Sequence, residues 1–161
     1  MSKPGGIWYT PVSGIWQTVW LEPVGEKHIA NLRILPDVDQ NILKVDACVA
    51  DHDATDMLEV CVYDGNQLVA SGKSINGEPV DVAMPEDVKL WSPDSPFLYS
   101  LKVALTSKGK VMDKVDSYAA MRKFSTRRDA EGIVRLELNN KPLFQFGPLL
   151  SSGFLRIDRC S

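Results

Sequence analysis

The stretch MLEVCVYDGNQLVASGK, residues 57–73, decides the fold class of this chain. Its first half alternates apolar and less apolar residues, with one apolar face formed by Leu58, Val60 and Val62. A period of two is the pattern of a half-buried β-strand. Asp64-Gly65 follows directly and predicts a tight hairpin turn, in which both central positions need φ > 0. A returning strand is therefore predicted at 67–73.

Further runs outside this hairpin show the same alternation or short β-branched stretches between turn residues. They lie at 27–35, 41–49, 80–84, 97–105 and 110–124. Together with the hairpin they predict about seven strands, with a turn signal every 8–12 residues. This spacing is typical of an immunoglobulin-like β-sandwich. The predicted fold class is therefore all-β, with the sandwich over residues 24–124.

Tyr99 lies at the start of the sixth predicted strand, two residues before Leu101. Immunoglobulin sandwiches often place a tyrosine corner there, with a cysteine two positions later. Leucine replaces that cysteine here, so the two sheets are expected to pack without a disulfide between them. Cys48 and Cys61 each lie on the face opposite the apolar residues of their strands, and a bond between them across the core is not expected.

The composition argues against several classes of function. The 161 residues carry a formal net charge of −3 and are 44% hydrophobic, unlike a disordered chain. Nucleic-acid binding needs a basic face. The basic run Met121–Arg128 is interpreted as a solvated strand and linker instead. No apolar run approaches the ~20 residues of a membrane span, so neither nucleic acid nor a membrane is an expected partner.

The acidic loop Asp51–Asp56 is the strongest candidate for a metal site, because alternating oxygen ligands suit calcium. It lacks the glycine bend and the downstream glutamate that a calcium loop usually has. His28 and His52 are the only histidines of the chain and provide no second ligand set. The loop is therefore interpreted as a solvated acidic turn, and neither a metal nor a cofactor is predicted.

Residues 1–23 hold three of the four tryptophans, which are Trp8, Trp16 and Trp20. Residues 15–21 predict a strand that places Trp16 and Trp20 on one face. A single strand cannot bury such faces alone. Packing between domains is favoured as the structural role of Trp16 and Trp20, and stacking on a sugar is the alternative that makes Trp8 and Trp16 candidate substrate-binding residues.

The fourth tryptophan, Trp91, precedes Ser92-Pro93 and predicts a packing anchor where a long loop crosses the end of the sandwich. A second flank follows the sandwich. Residues 133–138 and 143–146, separated by Asn139-Asn140, predict a hairpin. The apolar faces of both flanks are expected to fold back onto the sandwich or to pair between chains by strand or flank exchange, which would give a homo-oligomer.

Four short motifs resemble glycoside hydrolase family 2 in their order and spacing. They are Ser13–Glu22, Leu90–Pro93 with Pro96–Tyr99, Met121–Phe124, and Asn140–Leu143. In turn they resemble the closing strand of the family's N-terminal jelly-roll domain, the loop and strand of its immunoglobulin-like middle domain, the exit from that domain, and the hairpin that opens its catalytic TIM barrel. The resemblance covers roughly residues 7–148 and implies a fragment of such an enzyme.

The resemblance implies three regions. Residues 1–23 would be the last strand of a sugar-binding jelly roll, residues 24–124 the immunoglobulin-like domain, and residues 125–161 a linker and the opening hairpin of the barrel with an atypical tail. The remaining domains of the parent glycosidase are then the expected partners. Relatives are often exported by bacteria, so the parent is expected in the periplasm or outside the cell.

The family includes β-galactosidases, β-glucuronidases and β-mannosidases, which are retaining enzymes with two catalytic carboxylates on the barrel. A barrel needs at least ~200 residues. No residue of this chain is therefore assigned a catalytic role, and the chain alone is predicted to be inactive. The expected function is that of a structural spacer in an enzyme of carbohydrate metabolism that hydrolyses terminal β-glycosides. A stand-alone glycan- or protein-binding module is the alternative.

Overall fold

A computed structural model of the chain describes residues 14–15, 18–19, 21–75 and 77–144. The described residues form ten β-strands and no helix. The strands are β1 (Ile29–Asp37), β2 (Ile42–Val49), β3 (Asp56–Asp64), β4 (Gln67–Ile75), β5 (Val80–Ala83), β6 (Tyr99–Ser107), β7 (Lys110–Ala119), β8 (Phe124–Arg128), β9 (Val134–Leu138) and β10 (Lys141–Pro142). No helix that could span a membrane occurs in these ranges.

The first seven strands form two antiparallel sheets, in the orders β1-β2-β5 and β4-β3-β6-β7. Alternate side chains of the two sheets meet in a common core. The innermost are at most 1% exposed and comprise Leu43, Val45, Val60, Val62, Val80, Val82, Leu101, Val103 and Leu105. Each such side chain contributes roughly 1.5–3 kcal/mol through burial. The predicted all-β sandwich of about seven strands is confirmed. Cys61 carries a free thiol, as expected if it is not bonded to Cys48.

Gly72 lets β4 pass close to the other sheet. β4 is hydrogen-bonded to β3, yet a Cβ atom on Gly72 would lie 2.8 Å from Val80 Cγ1 and 3.2 Å from the carbonyl oxygen of Asp81, both on β5. Real Cβ contacts are not this short. Glycine is therefore required where the edges of the two sheets approach each other.

The predicted β3–β4 hairpin is present, but its turn lies one residue further on. Asp64 pairs with Gln67, so Gly65 and Asn66 form the two-residue loop. Of these two, only Gly65 has a positive φ, of 59°. Glycine alone at the first central position with φ > 0 is the type II′ pattern, and the expectation of φ > 0 at both Asp64 and Gly65 is therefore wrong.

The run 110–124, predicted as one strand, is divided in two. β7 ends at Ala119, and β8 begins at Phe124 in a third antiparallel sheet of order β10-β9-β8. The connecting segment turns inward because Met121 is fully buried and bridges to Leu90. Burial of Met121 therefore interrupts the ladder and carries the chain out of the sandwich. We call β8, β9 and β10 the third sheet.

The second strand of the C-terminal hairpin, predicted at 143–146, starts earlier in the structure. Leu138 pairs with Lys141 across the turn residues Asn139 and Asn140, so β10 is only Lys141–Pro142. A two-residue loop forces the returning strand to begin at once. Phe144 is in no strand and is 87% exposed, and residues 145–146 lie outside the described part.

The strand predicted at 15–21 is not observed at its described positions. Ile15, Val19 and Leu21 belong to no strand and are 80%, 70% and 99% exposed. A strand needs a hydrogen-bonded neighbour, and these residues have none among the described strands. At these described positions the flank does not pack back onto the sandwich, and the alternative, pairing between chains, stays a prediction. Trp8, Trp16 and Trp20 lie outside the described part.

Candidate functional site at the two ends of the sandwich

The chain enters and leaves the sandwich at opposite ends. β1 starts at Ile29, and its neighbour β2 ends there at Val49. The last sandwich strand, β7, ends at Ala119 beside Tyr99, where β1 also ends. β1 has nine residues and β7 has ten, and at about 3.3 Å per residue the two attachment points are roughly 30 Å apart. The groups that hold the chain at these two points are the candidate site.

At the N-terminal end, Lys27, which lies two residues before β1, forms an ion pair with Asp56, the first residue of β3. Lys27 Nζ lies 3.0 Å and 2.8 Å from the two carboxylate oxygens of Asp56. The side chains are 11% and 3% exposed. The backbone N–H of Asp53 also donates to Asp56 Oδ2, at 2.8 Å. We call Lys27, Asp53 and Asp56 the Lys27 clamp. This clamp attaches the segment before β1 to the start of β3.

The charge of Asp56 is fixed by its hydrogen bonds. Burial alone would raise the pKa of this carboxyl, but hydrogen bonds from Lys27, the Ser107 hydroxyl and the Asp53 amide outweigh it and lower the pKa to about 2. The same hydrogen bond to Asp56 raises the pKa of Lys27 above its ordinary value. The pair is therefore doubly charged across the physiological pH range.

A second contact joins the two sheets at this end. The backbone N–H of Ile29, the first residue of β1, donates to Asp113 Oδ2 on β7 at 2.9 Å. The preceding carbonyl, that of His28, accepts from the N–H of Ala50 at 2.9 Å. The start of β1 is thus held from both sides before the strand ladder begins.

The acidic loop is organised by internal hydrogen bonds. Asp53 Oδ1 accepts from the Thr55 N–H at 2.7 Å and from the Thr55 hydroxyl at 2.6 Å, and these bonds lower the pKa of Asp53. Asp56 accepts from Lys27 outside the loop and from the Asp53 N–H within it, and His52 Nδ1 lies 3.4 Å from Asp56 Oδ2. Over the described ranges, no three Asp, Glu, His or Cys side chains converge as a metal ligand set.

At the C-terminal end, Tyr99 holds the proline-rich loop against the sandwich. Tyr99 is 2% exposed, and its hydroxyl oxygen accepts the backbone N–H of Lys89 at 2.8 Å. The ring meets that of Phe97 edge to face, with centroids 4.8 Å apart. This is the geometry of a tyrosine corner, which anchors a loop to the start of a strand.

Trp91 lies half-buried between this loop and the segment that leaves the sandwich. Its backbone N–H donates to the carbonyl of Met121 at 2.9 Å. The guanidinium of Arg122 lies 4.9 Å from the centre of the Trp91 ring and 5.3 Å from that of Phe124. Arg122 therefore bridges the loop and the first residue of the third sheet through two cation–π contacts.

Asn139 attaches the turn of the third sheet to the same loop. Its Oδ1 accepts the backbone N–H of Lys123 at 3.0 Å, and its Nδ2 donates to the carbonyl of Trp91 at 2.9 Å. The backbone N–H of Asn139 donates to the carbonyl of Lys123 at 2.8 Å, which extends the β8–β9 ladder by one pair. The Asn139 side chain thus connects this ladder to the sandwich loop.

Asn140, the next residue, reaches the turn between β1 and β2. Its Oδ1 accepts from Lys123 Nζ at 2.9 Å, and its Nδ2 donates to Asp39 Oδ1 at 2.8 Å. Lys123 and Asp39 form an ion pair that closes the triangle. Hydrogen bonds from Lys123 and Asn140 lower the pKa of Asp39. The name "Asn latch" is used below for Asp39, Trp91, Lys123, Asn139 and Asn140.

The sequence pointed to Trp91 and Tyr99 as structural residues of this end, and the structure places both there. It did not assign these contacts to Asp39, Lys123, Asn139 or Asn140, although Lys123 and Asn140 lie within two of the family 2 motifs and Asn139-Asn140 predicts a turn. Candidate substrate residues Trp8 and Trp16 lie outside the described part, so the structure does not bring them to either end. The missed contacts join polar residues up to 101 positions apart, and no periodicity reports such pairs.

A family model described as "Glycosyl hydrolases family 2" matches residues 27–122. The chain belongs to this family. The matched segment begins at Lys27 of the Lys27 clamp and ends at Arg122, between the two rings described above. The family segment therefore coincides with the sandwich and its two attachment points.

Two relatives illustrate how the chain is placed within family 2. It is 33% identical over 122 residues to a putative β-glucuronidase of Formosa agariphila, covering 69% of this chain and 14% of the relative. It is 28% identical over 141 residues to a β-galactosidase of Lactococcus lactis, covering 84% of this chain and 13% of the relative. The chain thus spans about one seventh of the length of each.

Solved structures show the same fold. The β-glucuronidase from Ruminococcus gnavus, in complex with D-glucuronic acid, superposes with a TM-score of 0.58 at 17% identity. The match covers 76% of this chain and 20% of that protein. The similarity shows that this sandwich shares the fold of the matched part of that β-glucuronidase.

Proposed function

We propose that this chain is a non-catalytic, immunoglobulin-like spacer of a larger family 2 enzyme that hydrolyses terminal β-glycosides. The observation that carries the proposal is the opposite placement of the two attachment points, each held by its own cluster of polar contacts. A domain that only filled space would not need both ends fixed. A domain that sets the distance and angle between its neighbours does.

The proposal assigns the flanks to the neighbouring domains. Residues 1–23 would complete a sugar-binding domain before the sandwich, and residues 125–161 would open the barrel after it. The third sheet supports the second assignment, because one of its faces carries exposed apolar side chains. Phe124, Val134 and Leu136 are 63%, 54% and 52% exposed, and the β8–β9 register places them on one face. Such a face is typical of a surface that another domain covers.

Between its ends the sandwich provides the stiffness that a spacer needs. Its two sheets enclose a close-packed core, and cores of this kind deform little under load. The Lys27 clamp and the Asn latch then pass the orientation of the core to the chain on either side. Relative motion of domains is the default when few contacts cross a boundary, and these contacts reduce it.

A domain exchange tests the spacer role. The middle domain of the Lactococcus lactis β-galactosidase relative would be replaced by residues 24–124 of this chain, and hydrolysis of chromogenic β-galactosides would be measured. We expect the exchanged enzyme to retain activity. A matched variant with three Gly-Ser pairs inserted after Arg122 should lose most of it. Equal activity of the two would overturn the spacer proposal.

The 161-residue chain itself provides the complementary test. We expect no hydrolysis of chromogenic β-galactosides, β-glucuronides or β-mannosides, and no saturable binding to them in calorimetry. Turnover by the chain would overturn its non-catalytic assignment. Saturable binding that is lost in Trp8→Ala or Trp16→Ala would support a glycan-binding module instead.

A further inference from the structure

The third sheet is connected to the sandwich by the Asn latch and by the contacts of Arg122 with Trp91 and Phe124. Its strands share no ladder with the described strands of the sandwich, and the covalent connection is the short segment between Ala119 and Phe124. Without additional contacts, this segment would act as a hinge. The bonds that cross the gap come mainly from the side chains of Asn139 and Asn140.

The turn itself does not require these two side chains. Asn139 and Asn140 have φ of 52° and 63°, the type I′ pattern, which glycine adopts at least as easily. The β6–β7 hairpin has the same pattern with Lys108 and Gly109, at 50° and 78°. Two asparagines are therefore compatible with the turn but are not needed for it, and what distinguishes them is the partners that their amides reach.

Each amide is satisfied in one orientation only. Asn139 Oδ1 faces the N–H donor of Lys123, and Nδ2 faces the carbonyl of Trp91. Asn140 Oδ1 faces the ammonium of Lys123, and Nδ2 faces the carboxylate of Asp39. Reversing either amide would place donor against donor and acceptor against acceptor. The surroundings therefore specify asparagine, and aspartate would place a second carboxylate against Asp39.

We propose that Asn139 and Asn140 are positioning residues that lock the third sheet to the C-terminal end of the sandwich, so that the two move as one body. The latch reaches both the β1–β2 turn through Asp39 and the proline-rich loop through Trp91. Two separate anchor points fix an angle as well as a distance. The consequence for a parent enzyme rests on the proposed spacer function, but the latch can be measured without any activity.

The test uses the 161-residue chain and the double variant Asn139→Gly/Asn140→Gly. Glycine preserves the turn and removes four side-chain hydrogen bonds. The matched control is Lys108→Gly, which makes the same change in the other type I′ turn. We expect amide hydrogen exchange in β9 to accelerate roughly tenfold or more in the double variant, with exchange in β3 and β6 unchanged.

Residual dipolar couplings provide the second measurement. In the wild type and in Lys108→Gly, one alignment tensor should fit the sandwich and the third sheet together. In the double variant, two tensors should be needed. A single tensor, or unchanged exchange in β9, would overturn the latch. Equal acceleration in β3, β6 and β9 would also overturn it, because it would indicate a general loss of stability.

A variant on the sandwich side keeps the proposal falsifiable if the double variant does not fold. Asp39→Ala removes the partner of Asn140 and Lys123 and leaves the turn untouched. It should accelerate exchange in β9 by a smaller factor than the double variant, again without effect on β3. No acceleration in Asp39→Ala would overturn the role of Asn140. Because none of these readouts depends on catalysis, failure of the latch and failure of the spacer role are distinguishable.

Discussion

Lys27 and Asp56 are 29 residues apart in the chain, yet Lys27 Nζ lies within 3.0 Å of both carboxylate oxygens of Asp56 at the end of the sandwich where the chain enters. Asp56 is the last residue of the acidic loop, and Lys27 lies two residues before the start of β1. The segment before β1 is therefore attached to the sandwich by an ion pair, whereas the core of the sandwich is apolar.

Asp56→Asn should lower the free energy of unfolding by about 2 kcal/mol, because the carboxylate accepts hydrogen bonds from charged and backbone donors that an amide satisfies poorly. Urea denaturation at pH 7 measures the change. The matched control is Asp81→Asn, which alters an ion pair with Lys44 whose side chains are 55% and 47% exposed. That change should be within about 0.5 kcal/mol. Equal effects of the two substitutions would contradict the role of the Lys27 clamp.

Acid should weaken the protein through Asp56. Its pKa in the folded state is lowered from the ordinary value of 3.8 to about 2, so the carboxyl stabilises the fold above pH 4 and loses this contribution as the pH falls through 2. The lost contribution is about 2 kcal/mol. Urea midpoints between pH 6 and pH 2 measure it. Asp56→Asn should show a smaller decline over this range, and parallel profiles of the two proteins would contradict the assignment.

Tyr99→Phe should destabilise the sandwich by about 1 kcal/mol, because the backbone N–H of Lys89 loses its acceptor while the ring stays in place. Chemical denaturation of the purified protein measures the difference. Tyr118→Phe is the matched control, since Tyr118 is 68% exposed. It should change the stability by less than about 0.5 kcal/mol. If Tyr99→Phe were as mild as Tyr118→Phe, the corner would not stabilise the loop.

Gly72→Ala should destabilise the protein by about 1–3 kcal/mol, because the new methyl group overlaps Val80 and the backbone of Asp81. Thermal denaturation followed by circular dichroism measures the loss. Gly25→Ala is the matched control, since the nearest atom to its added methyl is 3.7 Å away. A lowered midpoint in both variants to the same extent would show that the close approach of β4 and β5 is not the cause.

The sandwich was predictable because the pattern that identifies each strand lies within the sequence of that strand. Alternation in 57–63 and 97–105 reports which face of each strand is buried, and glycine or asparagine between the runs reports the turns. The division of 110–124 was not predictable, because it depends on the burial of Met121 in the core and on its bridge to Leu90, which lies 31 positions earlier. The hydropathy pattern along the chain does not report a contact between residues so far apart.

The candidate site was predictable only in part, for the same reason. Trp91 and Tyr99 are large, and their neighbours in the sequence already indicate an anchor at a loop. The Asn latch depends on the direction of hydrogen-bonding groups from four separate segments, at Asp39, Trp91, Lys123 and Asn139-Asn140. Asn139-Asn140 is a sufficient turn signal by itself, so the sequence offers no reason to look for a second role of the two side chains.

The opposite attachment points also determine how the protein bears tension. A pull on the two flanks would act on the start of β1 and on the end of β7, in opposite directions and along the strands. Ladder hydrogen bonds in antiparallel sheets lie perpendicular to the strands. Such a force loads many of them in shear at once, whereas a pull on one end of a hairpin opens them one after another. The sandwich is therefore built to resist extension, and stretching should rupture it in a single high-force event.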